Sequence, residues 1–152
     1  MKITVEIDET IENNELIIKC NKIDKTIQKI EQAVSNITSN SENFMFYKAD
    51  NEYYFPLSQI LFFESSDNSK INAHTVDDIY QIKYKLYELE EVLPKNFIRI
   101  SKSTIANIDY IYSISKSVTS SSLIQFNKSY KQAYISRFYY KNLKQRLLER
   151  GK

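Results

Sequence analysis

The 152-residue chain contains a single glycine, Gly151, next to its C-terminus. Glycine enters the left-handed backbone region without steric cost. Without it, a chain cannot build the glycine-rich loops that cradle phosphates or the tight turn of a dinucleotide-binding fingerprint. The glycine-flanked strand-turn-helix elbow that presents a nucleophilic serine is excluded for the same reason. Turns must therefore be made by Asn, Asp and Ser, and the sequence is rich in all three. Its twelve tyrosines and eight phenylalanines favour strands.

The remaining chemistry is sparse. His74 is the only histidine and Cys20 the only cysteine, with no ligand spacing between them, so no metal site is expected. His74 lies in an alternating segment and reads as a sheet residue. Glu90-Glu91 reads as the solvated side of a short helix. No catalytic residue and no cofactor are expected, and the chain does not read as an enzyme. A lone cysteine forms no disulfide within the chain, which fits a reducing cytoplasm. No apolar run approaches the roughly 18 residues of a membrane span. The start, MKITVEIDET, alternates and carries acids, unlike a signal peptide.

The first 43 residues differ from the rest. Lys2–Ile7 and Glu15–Cys20 alternate and flank Glu12-Asn13-Asn14, predicting a hairpin. Ile23, Ile27, Ile30, Val34 and Ile37 recur at helical spacing, with Asp24 or an adjacent residue placed to cap. Ser35–Asn43 is polar and reads as a linker. From Phe44 onward come short strands. Hairpin turns are predicted at Asp50-Asn51 and Asp77-Asp78. Short helices are predicted over Leu86–Leu93, stopped by Pro94, and over Arg137–Arg150, with an apolar line of Phe138, Leu143, Leu147 and Leu148 and with Gly151 after the last turn. The expected class is mainly β, α+β overall. A helix-turn-helix is not expected, because strands stand where a recognition helix would be needed.

Charge is unevenly placed. From Met1 to Lys95, ten lysines and no arginine face 17 acidic residues, a net −7. From Asn96 to Lys152, seven lysines and four arginines face Asp109 and Glu149, a net +9. A cationic segment of this kind suits a polyanion, nucleic acid or anionic lipid. The alternative is that the two halves neutralise each other in the folded domain. Three polar-basic segments stand out: Asp67-Asn68-Ser69-Lys70, Ser101-Lys102-Ser103-Thr104, and Ser136-Arg137 with Tyr139 and Lys141 just beyond. Lys and Arg neutralise phosphates, while Ser, Thr, Asn and Tyr hydrogen-bond phosphate oxygens or base edges.

Three runs carry a family resemblance. ILFFESSDNSKINAHT (Ile60–Thr75), YKLYELEEVLPKNFIRISKSTIANIDYI (Tyr84–Ile111) and YISRFYYKNLKQRL (Tyr134–Leu147) resemble, in order, successive segments of the LytTR family of bacterial DNA-binding domains. In the middle run Phe97, Arg99, Ile100, Ser103, Ile105, Asn107 and Ile111 fall at the family's spacing. The resemblance implies an elongated β fold with short helices and a sequence-specific transcription regulator. Such a domain enters successive major grooves with loops. By position the DNA-facing loops hold Asn68 and Lys70; then Ser101, Lys102 and Ser103; then Ser136, Arg137, Tyr139 and Lys141. Lys102 is the leading base or phosphate contact. Phe138 stands where many members have a second DNA-contacting arginine. Asn107 reads as a structural brace, and Arg99 is open to either role.

Residues 44–152 are thus expected to form the DNA-binding domain. Residues 1–43 are expected to form a strand-and-helix extension, far shorter than the roughly 100 residues of a typical domain, and so not a phosphoacceptor receiver. The extension resembles that of standalone family members, some of which are encoded beside a small membrane protein. The apolar face at Ile23, Ile27, Ile30, Val34 and Ile37 suggests that the extension packs on the domain or mediates dimerisation, and the expected partners are duplex DNA, a second copy of the chain in a homodimer, and such a membrane protein. Two other readings stand beside this one. One is a non-catalytic module for an acidic protein or anionic surface. The other is a single-strand binder that stacks bases on tyrosines.

Overall fold

The computed structural model describes residues 1–12, 15–38, 44–117 and 121–150. The chain divides into two compact units, Met1–Thr38 and Ser39–Lys152. In the first, helix α1 spans Lys25–Thr38. Asp24 caps it as expected, its Oδ1 accepting from Thr26 N at 2.9 Å and Ile27 N at 3.0 Å, which satisfies two of the helix's unpaired N–H groups. Ile23 precedes the helix and is exposed. The expected hairpin does not form: Lys2–Ile7 and Glu15–Cys20 contain no strand. Ile3, Val5 and Ile7 are 85–87% exposed. A two-stranded ribbon without a packed layer is marginal in water, and alternation alone does not supply that layer. The residues Asn13-Asn14 and Ser39–Asn43, and Gly151, lie outside the described residues. Ser35–Thr38, expected in the linker, belong to α1.

Among its described residues the second unit carries ten strands: β1 (Phe46–Lys48), β2 (Asn51–Tyr53), β3 (Phe62–Ser65), β4 (Ile71–His74), β5 (Ile79–Ile82), β6 (Phe97–Arg99), β7 (Thr104–Asn107), β8 (Ile111–Ser115), β9 (Ser122–Phe126) and β10 (Gln132–Ile135). Helix α2 spans Leu86–Val92 and α3 spans Arg137–Arg150. A seven-stranded antiparallel sheet has the order β2-β1-β5-β4-β3-β7-β6, and a three-stranded one the order β10-β9-β8. The unit is mainly β, as the sequence indicates.

Strands β3 and β7 are buried on both faces. Phe63 and Ile105 join one apolar layer, with Phe46, Phe97 and Leu89 of α2. Phe62 and Ala106 join a second, with Ile124 and Ile135 of the smaller sheet and Leu143 of α3. That is why Ile60–Phe63 reads as an unbroken apolar run. Asn107 sits at the junction of these layers, 1% exposed. Its Nδ2 donates to Ile60 O at 3.0 Å, while its Oδ1 accepts from Asp109 N and from Asn96 Nδ2, both at 3.1 Å. It is the brace that the sequence indicated.

Lack of glycine shows in the turns. Positive φ falls on Ala49 (53°), Ser69 (58°) and Lys128 (62°), a region that costs a residue with a Cβ roughly 1–2 kcal/mol. Lys48 pairs with Asn51, so the first hairpin turns on Ala49-Asp50, one residue earlier than expected. His74 pairs with Ile79, which makes the second connection four residues, Thr75–Asp78. Thr75 Oγ1 closes it by accepting from Asp78 N at 3.0 Å. The apolar line of α3 also differs. Its inward face is Tyr139, Tyr140, Leu143 and Leu147, whereas Phe138 and Leu148 are 85% and 69% exposed. Each lies five residues from Leu143, about 140° round the helix. No described helix is long and apolar enough to cross a membrane.

His74 is a buried sheet residue, its ring stacked on Phe62 at 4.1 Å. Neither ring nitrogen has a hydrogen-bond partner. Glu64 Oε2 lies 3.4 Å from Nε2 without the alignment of a hydrogen bond. Burial, and then the positive charge of Lys131, pull its pKa from 6.5 down to about 4, so at neutral pH the ring is uncharged and forms no ion pair. The folded pKa lies below the unfolded one. The neutral ring's contribution is therefore complete above pH 6.5 and is lost as the pH falls toward 4. Denaturant melts should show His74 costing on the order of 2 kcal/mol across that window, allowing for solvent at its rim. His74→Phe should flatten the dependence between pH 6.5 and 4.

Candidate nucleic-acid interface

The turn from Ile100 to Ser103 joins β6 to β7. Ile100, fully buried, anchors one side, and its N–H donates to Thr104 O at 3.0 Å. Ser101 Oγ accepts from Ser103 N at 3.2 Å, and the two hydroxyls lie 3.3 Å apart. Arg99 lies beneath the turn. Its Nε donates to Ser101 O at 2.7 Å, its second guanidinium arm reaches Lys102 O, and the third position pairs with Glu90 of α2. Ser101 and Ser103 are therefore part of the turn's own bonding. Lys102 is exposed at the tip, and among the described residues its ammonium has no hydrogen-bond or ion-pair partner.

Two backbone hydrogen bonds gather the other segments around this turn. Ser65 N, at the end of β3, donates to Ser103 O at 2.8 Å. That sets the turn Ser66–Lys70 beside Ser101–Ser103. Ser136 N donates to Ile100 O at 3.0 Å, so the start of α3 joins them. Three stretches, separated by more than thirty positions in the sequence, converge at one end of the large sheet. Asn68 and Lys70 are exposed on the first turn, the latter's carbonyl accepting from Ser66 N at 2.8 Å. On α3, Arg137 and Lys141 are exposed and four residues apart, hence on one side of the helix. Ser136 is half-buried, as is Tyr139, which packs its ring against the second core layer. Phe138 is among the most exposed residues of α3, its ring edge-on to Tyr139 at 4.9 Å.

Not all of the positive charge counted in the sequence faces outward. Arg99 braces the turn, Arg146 donates to Lys95 O, and Arg150 donates to Ile108 O and Ile111 O. These three arginines thus bond the chain's own carbonyls. Lys131 is partly buried and donates to Asp78 O. The outward charge at the converging segments belongs to Lys70, Lys102, Arg137 and Lys141. One basic region was not apparent from sequence: Lys83 and Lys85, beside Lys70. The signal for them was the Lys-Tyr-Lys run at the end of β5, outside the cationic third.

This strand-rich unit belongs to a class of DNA-binding domains. The model of the LytTr DNA-binding domain family matches residues 50–148, so the chain belongs to that family. It is similar to uncharacterized HTH-type transcriptional regulators of Staphylococcus aureus. With the regulator of strain NCTC 8325 / PS 47 it shares 31% identity over 148 residues, 97% of this chain and 98% of the relative. With that of the bovine strain RF122 / ET3-1 it shares 32% over 149 residues, again 97% and 98%. A LytTr DNA-binding domain from Bacillus cereus matches with a TM-score of 0.61 at 27% identity, covering 68% of this chain and 94% of that one. Among the described residues of this chain no two helices are consecutive elements, so a helix-turn-helix is not present there.

Arg99 serves two carbonyls and a carboxylate at once. Arg99→Ala should lower stability by about 1 kcal/mol in denaturant melts, because the part-buried Ser101 carbonyl and the turn above it lose their donor. Arg99→Lys should restore only part of it, since an ammonium cannot reproduce the planar fork.

Proposed function

We propose that this protein is a transcriptional regulator that binds duplex DNA sequence-specifically through the three converging segments. The observation that carries this reading is the pair of backbone bonds that draw Ser66–Lys70, Ser101–Ser103 and the start of α3 into one face. Family membership and the names of its relatives point the same way. Side chains at the turn tips enter the major groove, Lys102 foremost. A lysine there can take guanine O6 and N7 or a phosphate. Lys70, Arg137 and Lys141 neutralise phosphates and set register, while the half-buried hydroxyls of Ser136 and Ser101 hydrogen-bond phosphate oxygens. Asn68 is the amide placed to read a base edge. Arg99 and Ser103 act by holding the second turn, and Tyr139 by docking α3.

The protein acts as a homodimer in the cytoplasm, with the extension as the contact. Apolar residues recur along α1 at Ile27, Ile30 and Val34, and a lone helix of 14 residues has little stability of its own in water. Pairing α1 with that of a second copy would present two DNA-binding units to half-sites one helical turn apart, about 34–36 Å.

Two measurements test these parts separately. In titrations of a duplex selected from a random pool, Lys102→Ala should weaken binding by about 1–3 kcal/mol with an unchanged melting curve. Unaltered affinity would remove Lys102 from the interface, and enrichment of no motif would favour an anionic-surface module instead. In sedimentation, the full chain should run as a dimer and Ile30→Asp as a monomer. Identical stoichiometry would exclude α1 as the contact.

A further inference from the structure

A groove of about 470 Å³ lies beside the turn Ser66–Lys70 and opens to solvent. Its walls include Tyr47, Ser69, Lys70, Lys83, Lys85 and Glu88. Three ammonium groups face one carboxylate, and among the described residues none of the three lysines forms an ion pair. The charges are held close by the sheet. Ile71 pairs with Ile82, so Lys70 and Lys83, one step further out, stand opposite each other. Like charges in directly opposed positions destabilise a pair of strands, and a bound anion turns that repulsion into attraction. Lys83 is also positioned: its Nζ sits over the Tyr47 ring, 4.6 Å from the centroid, a contact that favours a fixed ammonium.

We infer that this groove is a second, sequence-independent phosphate site, taking the sugar-phosphate backbone of the duplex just outside the bases read by the turns. The inference rests on the DNA-binding reading above and extends it to residues in the acidic part of the chain. A duplex backbone suits the groove better than a small anionic metabolite. Small-molecule sites enclose most of their ligand, whereas this one is open to solvent and carries three cations along its walls. It is also continuous with the proposed interface, because Ser69 and Lys70 belong to both. Backbone contacts of this kind fix register and add affinity without base preference.

The test uses the full chain and the duplex enriched by the wild-type protein from a random pool, with and without flanking base pairs on each side. Binding is measured over a range of salt. For Lys83→Gln/Lys85→Gln, the slope of log affinity against log salt should be shallower by about 2 than wild type. The wild-type protein should lose affinity when one flank is trimmed, and the double variant should not. Base preference should be unchanged. Lys83→Arg/Lys85→Arg should keep the wild-type slope, and Lys128→Asn, on the β9–β10 turn, should do the same. An unchanged slope and an unchanged flank dependence in the Gln variant would overturn the groove while leaving the DNA-binding reading intact. Failure of the wild-type protein to enrich any duplex would overturn that reading, and the groove with it.

Discussion

Everything at the candidate interface depends on the register of β7 between β3 and β6. Phe63 lies opposite Ile105, and Glu64 opposite Thr104. Arg99 lies opposite Ile105 on the other side. Strand pairing has a period of two, so a slip by one residue would drive Ile105 into the layer that Ala106 now fits and leave the first layer short of its side chain. The register is locked at one end by Asn107, whose amide bonds fasten β7 to Ile60, Asn96 and Asp109. At the other end it delivers Ser103 O to Ser65 N. The position of the turns is thus set by the core, and loops that reach a ligand gain precision when their supports are rigid elements.

Much of this was legible in the sequence. Ile100 and Ile105, which fall at the family's spacing, are buried on either side of the central turn, and Asp24, Pro94 and Asn107 end or brace elements where their chemistry predicts. The misreadings have specific causes. Alternation in Lys2–Ile7 carries a strand preference but no partner layer. Asp and Asn at positions 50, 51, 77 and 78 mark turn regions, yet strand register decides which residues occupy the turn. It gave the left-handed position at the first hairpin to Ala49. On α3, Phe138 counted as apolar by type, although its angle to Leu143 places it outside the core.

The electrostatic reading changed most. A net +9 in the last 57 residues points to a polyanion, but a charge count does not distinguish a free cation from one that holds the fold together. Arg99, Arg146 and Arg150 donate to backbone carbonyls, which suits the planar, strongly donating guanidinium. Lysines, hydrated and mobile, hold most of the outward positions. Some of those positions, Lys83 and Lys85, lie in the acidic part of the chain, next to Lys70 only because β4 and β5 pair. Sequence proximity could not reveal this, since the neighbours are created by the strand register.

One face of the second unit is the proposed site of contact. Amide chemical shifts of the full-length, isotopically labelled protein, followed through titration with a selected duplex, read that face directly. Perturbations should concentrate at residues 66–70, 83–85, 101–104 and 136–141, with the outer side of the small sheet, around Tyr112, Gln125 and Tyr134, unaffected. The largest shifts falling on that outer side instead, with the three segments silent, would contradict the account.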